Sequence, residues 1–142
     1  MMQLIQFKAN EIEKIWPLVK DHVQSALDRN QNFRNHTDVK ENCINGLEQL
    51  WVIVDNKDNV HGVCITQIVQ QKNYNIGLVR IATGHDLPLW VDKIKDFEDW
   101  AFKNCDCKKI EIYGRPGWSK MLKPLGYDFT HVQMDKYIGG LH

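Results

Sequence analysis

The stretch Lys108-Lys109-Ile110-Glu111-Ile112-Tyr113-Gly114-Arg115-Pro116-Gly117-Trp118 decides how this chain is read. Ile110 and Ile112 alternate with Lys109 and Glu111, which is the two-residue period of a half-buried strand. Gly114-Arg115-Pro116-Gly117 breaks that period. Beyond it Trp118, Met121, Leu122 and Leu125 recur at helical spacing until Pro124 and Gly126 end the turn. A strand, a tight break and a short helix therefore follow one another, and Tyr127 to Ile138 reads as a closing strand.

Working upstream, Pro88 suits the first turn of a helix running to about Asn104, with Trp90, Ile94, Phe97 and Ala101 on one face. Before it lie three strand-like runs, Leu50 to Val54, Val60 to Gln70 and Tyr74 to Thr83. The turn clusters Asp55–Asn59 and Lys72-Asn73 separate them, so three consecutive antiparallel strands are expected. The N-terminal part gives a short strand over residues 2–8. Asn10 with Glu13 then reads as a capping box that opens a helix, whose apolar positions Ile12, Trp16, Val19, Val23 and Leu27 keep the 3.6-residue period despite Pro17. Thr37 can cap a second helix to about Gln49. The predicted order is βααβββαβαβ: an α+β fold with a mixed, mostly antiparallel sheet and helices on both faces, in one domain spanning residues 1–142.

Eighteen basic residues balance eighteen acidic ones, with 7 against 9 in residues 1–71 and 11 against 9 in residues 72–142. Binding driven by phosphate neutralisation calls for a larger basic excess, so no nucleic acid partner is expected. No run approaches the length needed to cross a bilayer, and Met1 to Lys8 lacks the basic and apolar regions of a signal peptide. A cytoplasmic location without membrane attachment follows. Cys43, Cys64, Cys105 and Cys107 read as reduced thiols in such a compartment. No further Cys or His pair stands at zinc-site spacing, and no metal is expected.

This order of elements resembles the fold of the GNAT superfamily of N-acetyltransferases over essentially the whole chain. Trp100-Ala101-Phe102, Lys109 to Tyr113, Gly114 to Trp118 and Leu125-Gly126-Tyr127 look like GNAT-like proteins encoded by tailed bacteriophages. The resemblance implies an acyl-CoA site, with the diphosphate gripped by backbone N–H groups of a glycine-rich loop that opens a helix. The corresponding residues are Ala82, Thr83, Gly84 and His85, followed by Asp86, Leu87 and Pro88, with Arg115 as a further cofactor contact. This loop holds a single glycine, Pro88 lacks a donor, and Asp86 repels phosphate. Losing two or three charge-assisted hydrogen bonds costs about 3–9 kcal/mol. The tyrosine that protonates the leaving thiolate in many relatives falls here at Leu122, and an asparagine frequent in them falls at Arg115.

The residues left for catalysis are Tyr113, at the carboxyl end of its strand, and His85 beside Asp86. Arg80 stands out as a charge expected on one face with Ile76, Leu78 and Ala82 of a central strand, where it can meet an anionic ligand or an internal partner. Lys108, Lys109, Lys120 and Lys123 read as a solvated basic face, and the tryptophans as core. Two functions are consistent with these residues. One is a degenerate GNAT-fold protein of a phage, requiring no cofactor, that binds a protein partner or a small molecule in the host cytoplasm or the virion. The other is an active acetyl-CoA-dependent N-acetyltransferase with a divergent diphosphate loop.

Overall fold

The computed structural model describes residues 2–29, 34–84, 88, 91–113, 118–130, 134, 136, 138 and 139. Its centre is the apolar run Leu50 to Val54, within strand β2 (Gln49–Val54), where every residue after Gln49 is buried. A strand buried on both faces needs a layer above and a layer below. Leu50, Val52 and Val54 point to one side, where helix α1 (Ile12–Arg29) and helix α2 (His36–Ile44) cover them. Trp51 and Ile53 point to the other side, against helix α3 (Ile94–Cys105). Helices thus lie on both faces, as the sequence predicts.

The sheet runs in the order β1-β2-β3-β4-β5, completed by β1 (Gln3–Phe7), β3 (Val60–Gln70), β4 (Asn75–Gly84) and β5 (Cys107–Ile112). The first three pairings are antiparallel. The last, β4 with β5, is parallel, and α3 is its crossover helix. Gly77 sets how closely that helix lies: a Cβ there would sit 2.7 Å from Ile110 Cδ1 and 3.0 Å from Phe97 Cζ. Phe97, Trp51 and Trp100 meet above it, with the Trp51 ring edge-on to both others.

Helix α1 presents Ile12, Trp16, Val19, Val23, Ala26 and Leu27 to the sheet, and it runs through Pro17 without interruption. Its entry differs from the expected Asn10 cap. A 3₁₀ turn, Ala9–Glu11, precedes it, and the Lys8 backbone N–H donates to the Glu11 carboxylate at 2.8 Å. Helix α2 starts at an Asn35 cap instead of Thr37, because Asn35 and Asp38 satisfy each other's backbone N–H groups. It stops at Ile44, short of Gln49, since Gly46 (φ +78°) turns the chain out of the helix.

Pro88 is helical, as expected, and beyond the undescribed residues 89 and 90 the chain continues through a 3₁₀ turn, Val91–Lys93, into the regular helix α3 from Ile94. Helix α4 (Trp118–Leu122) and a 3₁₀ turn Lys123–Leu125 end at Gly126 (φ +94°) as expected. The expected closing strand is the largest difference: among the described residues Tyr127–Thr130, 134, 136 and 138 carry no strand, and the remainder of that run lies outside them. All four cysteines are free thiols. Among the described residues no helix is long and apolar enough to cross a membrane, and no His/Cys/Asp/Glu group could hold a metal ion.

Candidate functional site

The β4–β5 ladder closes between Asn75 and Val79 on one strand and Cys107 and Ile112 on the other, and its last rung is the Tyr113 N–H donating to the Val79 carbonyl at 3.0 Å. Beyond Val79, β4 keeps its pairing with β3 as far as Gly62–Gly84, but it has no β5 partner among the described residues. The described ladder between the two parallel strands therefore ends here, and this opening in the ladder is the candidate site. Its cause is local. Ile65 pairs with Ile81 and Thr66 with Val79, leaving Arg80 as an extra residue in a β-bulge. A bulge bends its strand and increases the twist.

The bulge also decides where side chains go. Gly77 and Val79 face α3, so Ile76, Leu78 and Arg80 face the α1/α2 side. After the bulge Ile81 joins the α1/α2 cluster and Ala82 joins the α3 cluster. Arg80 therefore shares a face with Ile76 and Leu78 as expected, but not with Ala82; the inserted residue shifts the alternation by one.

Arg80 keeps a third of its side chain exposed. Its Nη1 donates to Gln67 Oε1 at 3.2 Å, and its Nε lies 3.8 Å from Glu48 Oε2. The Glu48 side chain is only 3% exposed, and its Oε1 accepts from Arg34 Nη2 at 2.6 Å and from Asn42 Nδ2 at 2.9 Å. Glu48 Oε2 is buried and has no hydrogen-bond partner among the described residues. The nearby Cys43 thiol is pushed up to about 12, by burial first and then by the Glu48 charge, with Arg34 acting in the opposite direction. Further along β4, Thr83 Oγ1 accepts from Arg29 Nη2 at 2.7 Å, tying the end of α1 to the far arm of the opening.

Of the residues singled out in the sequence, Ala82, Thr83 and Gly84 lie on the β4 arm beyond the bulge, and Tyr113 lies at the tip of β5, half exposed. His85 and Arg115 fall outside the described residues, as do Asp86, Leu87 and Trp90. Leu122 is buried in an apolar cluster with Val91 and Ile94. The phenol of Tyr127 donates to Glu98 Oε2 at 2.5 Å and is pushed well above the usual range, by burial first and then by that hydrogen bond and the Glu98 charge. Lys108 and Lys109 are exposed and face Asp106 and Glu111. Sequence reasoning missed Glu48, Arg34, Asn42 and Gln67. The one available signal was Glu48 standing directly before an otherwise apolar strand.

Solved acetyltransferases share this architecture. An aminoglycoside acetyltransferase from an uncultured soil metagenomic sample superposes with a TM-score of 0.72 at 7% identity, covering 98% of this chain and 99% of the other. An aminoglycoside N-acetyltransferase in complex with CoA gives 0.67 at 13% identity, over 96% and 94% of the two chains. A GNAT family acetyltransferase of Staphylococcus aureus subsp. aureus gives 0.64 at 14%, over 96% and 98%. No family model and no curated protein matches the sequence. The fold is that of the GNAT acetyltransferases, and identities this low carry the likeness no further than the fold.

Proposed function

We propose that this chain uses the GNAT scaffold for binding rather than for efficient acyl transfer, as a phage-encoded protein acting in the host cytoplasm or in the virion. The observation that carries this reading is the entrance to α3. A diphosphate seated at a helix N-terminus needs free backbone donors and an unopposed positive helix end. Here the turn before α3 carries Asp92, its first turn carries Asp96, and the exposed Pro88 has no N–H to offer. Pro88 withholds a donor and the two carboxylates that follow weaken the attraction, which supports weak binding, or none, of a nucleotide thioester.

Two further features support it. Leu122, where relatives carry an acid tyrosine, is committed to packing against Val91 and Ile94. Tyr127 is committed to Glu98. The phage assignment rests on the resemblance of the Gly114 to Trp118 stretch and its flanks to phage GNAT-like proteins.

A second reading, a working acetyl-CoA-dependent N-acetyltransferase, draws on the exposed phenol of Tyr113 beside the opening, with His85 as its partner residue. Calorimetric titration with CoA and with acetyl-CoA separates the two. The binding reading expects dissociation constants in the millimolar range or weaker, and no thiol release against a panel of amines, peptides and aminoglycosides. Low-micromolar acetyl-CoA affinity would overturn it.

A further inference from the structure

Val79 and Ile112 are the last paired residues of β4 and β5, and both belong to the cluster under α3. Their successors, Arg80 and Tyr113, are by the two-residue period of a strand turned to the opposite, α1/α2 side. One guanidinium and one phenol therefore flank the same opening at the point where the described ladder ends, and both are accessible: 33% of the Arg80 side chain and 50% of Tyr113. Neither is spent on the core.

The guanidinium is also held. Its Nε edge is turned toward Glu48 and its Nη1 toward Gln67, which leaves Nη2 as the donor not engaged by any described residue. Glu48 is itself fixed through Oε1 by Arg34 and Asn42, so the arginine is anchored from behind by a buried carboxylate. An arginine immobilised in this way loses less entropy when it grips a ligand than a free surface arginine does.

From this geometry we infer that the α1/α2 side of the opening is a carboxylate-binding subsite, with Arg80 and Tyr113 as donors and Glu48 as the positioning residue. The inference rests on the reading of the cleft as a ligand site and names the chemistry of its occupant: a small molecule bearing a carboxylate. Charge selects the anion. The exposed guanidinium of Arg80 attracts an anion, and the buried Glu48 carboxylate beside it opposes a phosphate dianion more strongly than a monoanion. Donor number agrees, because a carboxylate has two oxygens, one to accept from Arg80 Nη2 and one from a phenol hydroxyl.

The test is an NMR titration of the free protein, following the Arg80 Nε–Hε and Tyr113 amide signals with sodium propionate, inorganic phosphate and methylammonium chloride in turn. Saturable shifts are expected with propionate only. Tyr113→Phe should weaken propionate about tenfold, the effect of one hydrogen bond to a charged group. Arg80→Lys, which keeps the charge and loses the fixed Nη2 donor, should weaken it by a similar factor. Tyr113 is half exposed, so its variant reports even if substitution at Arg80 disturbs folding. Non-saturating shifts with propionate, equal affinity for phosphate, or an unchanged affinity in Tyr113→Phe would each overturn the subsite. No CoA is present in this titration, so its outcome is separate from whether the binding reading survives the CoA experiment.

Discussion

Removing the Glu48 carboxylate should unsettle the polar set behind the opening far more than an ordinary surface substitution would. Glu48 Oε1 accepts from Arg34 at 2.6 Å and from Asn42 at 2.9 Å, so Glu48→Ala deletes two hydrogen bonds to an ionised acceptor. Such bonds contribute about 1.5–3 kcal/mol each, or about 3–6 kcal/mol together. Two effects offset part of that. The Arg34 side chain is 26% exposed and can be rehydrated by water, and a carboxylate that is 3% exposed no longer has to be kept out of water. The net expectation is a loss of about 2–4 kcal/mol. Glu48→Gln keeps an acceptor oxygen for both donors and gives up the charge, so about 1–2 kcal/mol is expected.

The assay is urea unfolding followed by tryptophan fluorescence, with Arg34→Ala and the Glu48→Ala/Arg34→Ala double variant closing a cycle. Coupling of about 1–2 kcal/mol is expected for a pair in direct contact. If Glu48→Ala costs less than about 0.5 kcal/mol, or the cycle shows no coupling, Glu48 is not the hub of this network and the anchoring of Arg80 described above fails with it.

Asp55 gives a pH prediction: the His61 hydrogen bond first, then the N–H groups of Asn59 and Lys57, hold its carboxyl well below its ordinary value of 3.8. A carboxyl depressed in the folded state stabilises fully above its unfolded value and loses that contribution as the pH falls from there through its lower folded value. The stability gap between wild type and Asp55→Asn should therefore narrow as the pH falls below about 4; a gap unchanged between about pH 5 and pH 3 in urea melts contradicts the pairing. The thiols should differ in reactivity, since burial pushes Cys43 and Cys64 up to about 12 and Cys107 is also buried, whereas Cys105 is partly exposed. Iodoacetamide on the native protein should label Cys105 first and the others only with denaturant, read by peptide mass spectrometry; Cys43 labelling as fast as Cys105 would contradict its burial beside Glu48.

The legible parts of the fold are those where a local signal is strong on its own. Strand β3 has the bounds the sequence predicts, because the Asp55–Asn59 turn and the Lys72-Asn73 turn punctuate a run rich in β-branched residues. The helix ends were misplaced where two residues competed for one role. Asn35 and Thr37 can both cap, and Asn35 prevails because Asp38 stands three residues after it. The closing strand expected over Tyr127 to Ile138 is not seen among the described residues of that run, where Phe129, Met134 and Ile138 are exposed and so lack the packing that favours a strand. At the site, Arg80 was conspicuous as a charge inside an apolar strand. Glu48 was not, because Arg34, Asn42 and Arg80 come from three separate segments, and no spacing along the chain records that they converge.

The bulge explains why one residue carries so much of this site. Had β4 kept a simple alternation through Arg80, Ile81 would face α3 and Ala82 would face α1 and α2, which would take a large side chain out of the α1/α2 core and put a small one in its place. The inserted residue avoids that: Ile81 stays buried at 5% exposure among α1 and the sheet, and Ala82 stays under α3. The same insertion falls just where the described β4–β5 ladder ends, and it leaves the β3–β4 pairing unbroken on both sides of it. A charge at the inserted position then costs the core little, since the bulged residue is the one least enclosed by its neighbours. Placement of an arginine at the head of the opening is thus the arrangement that satisfies core packing and leaves a charged donor available to a ligand.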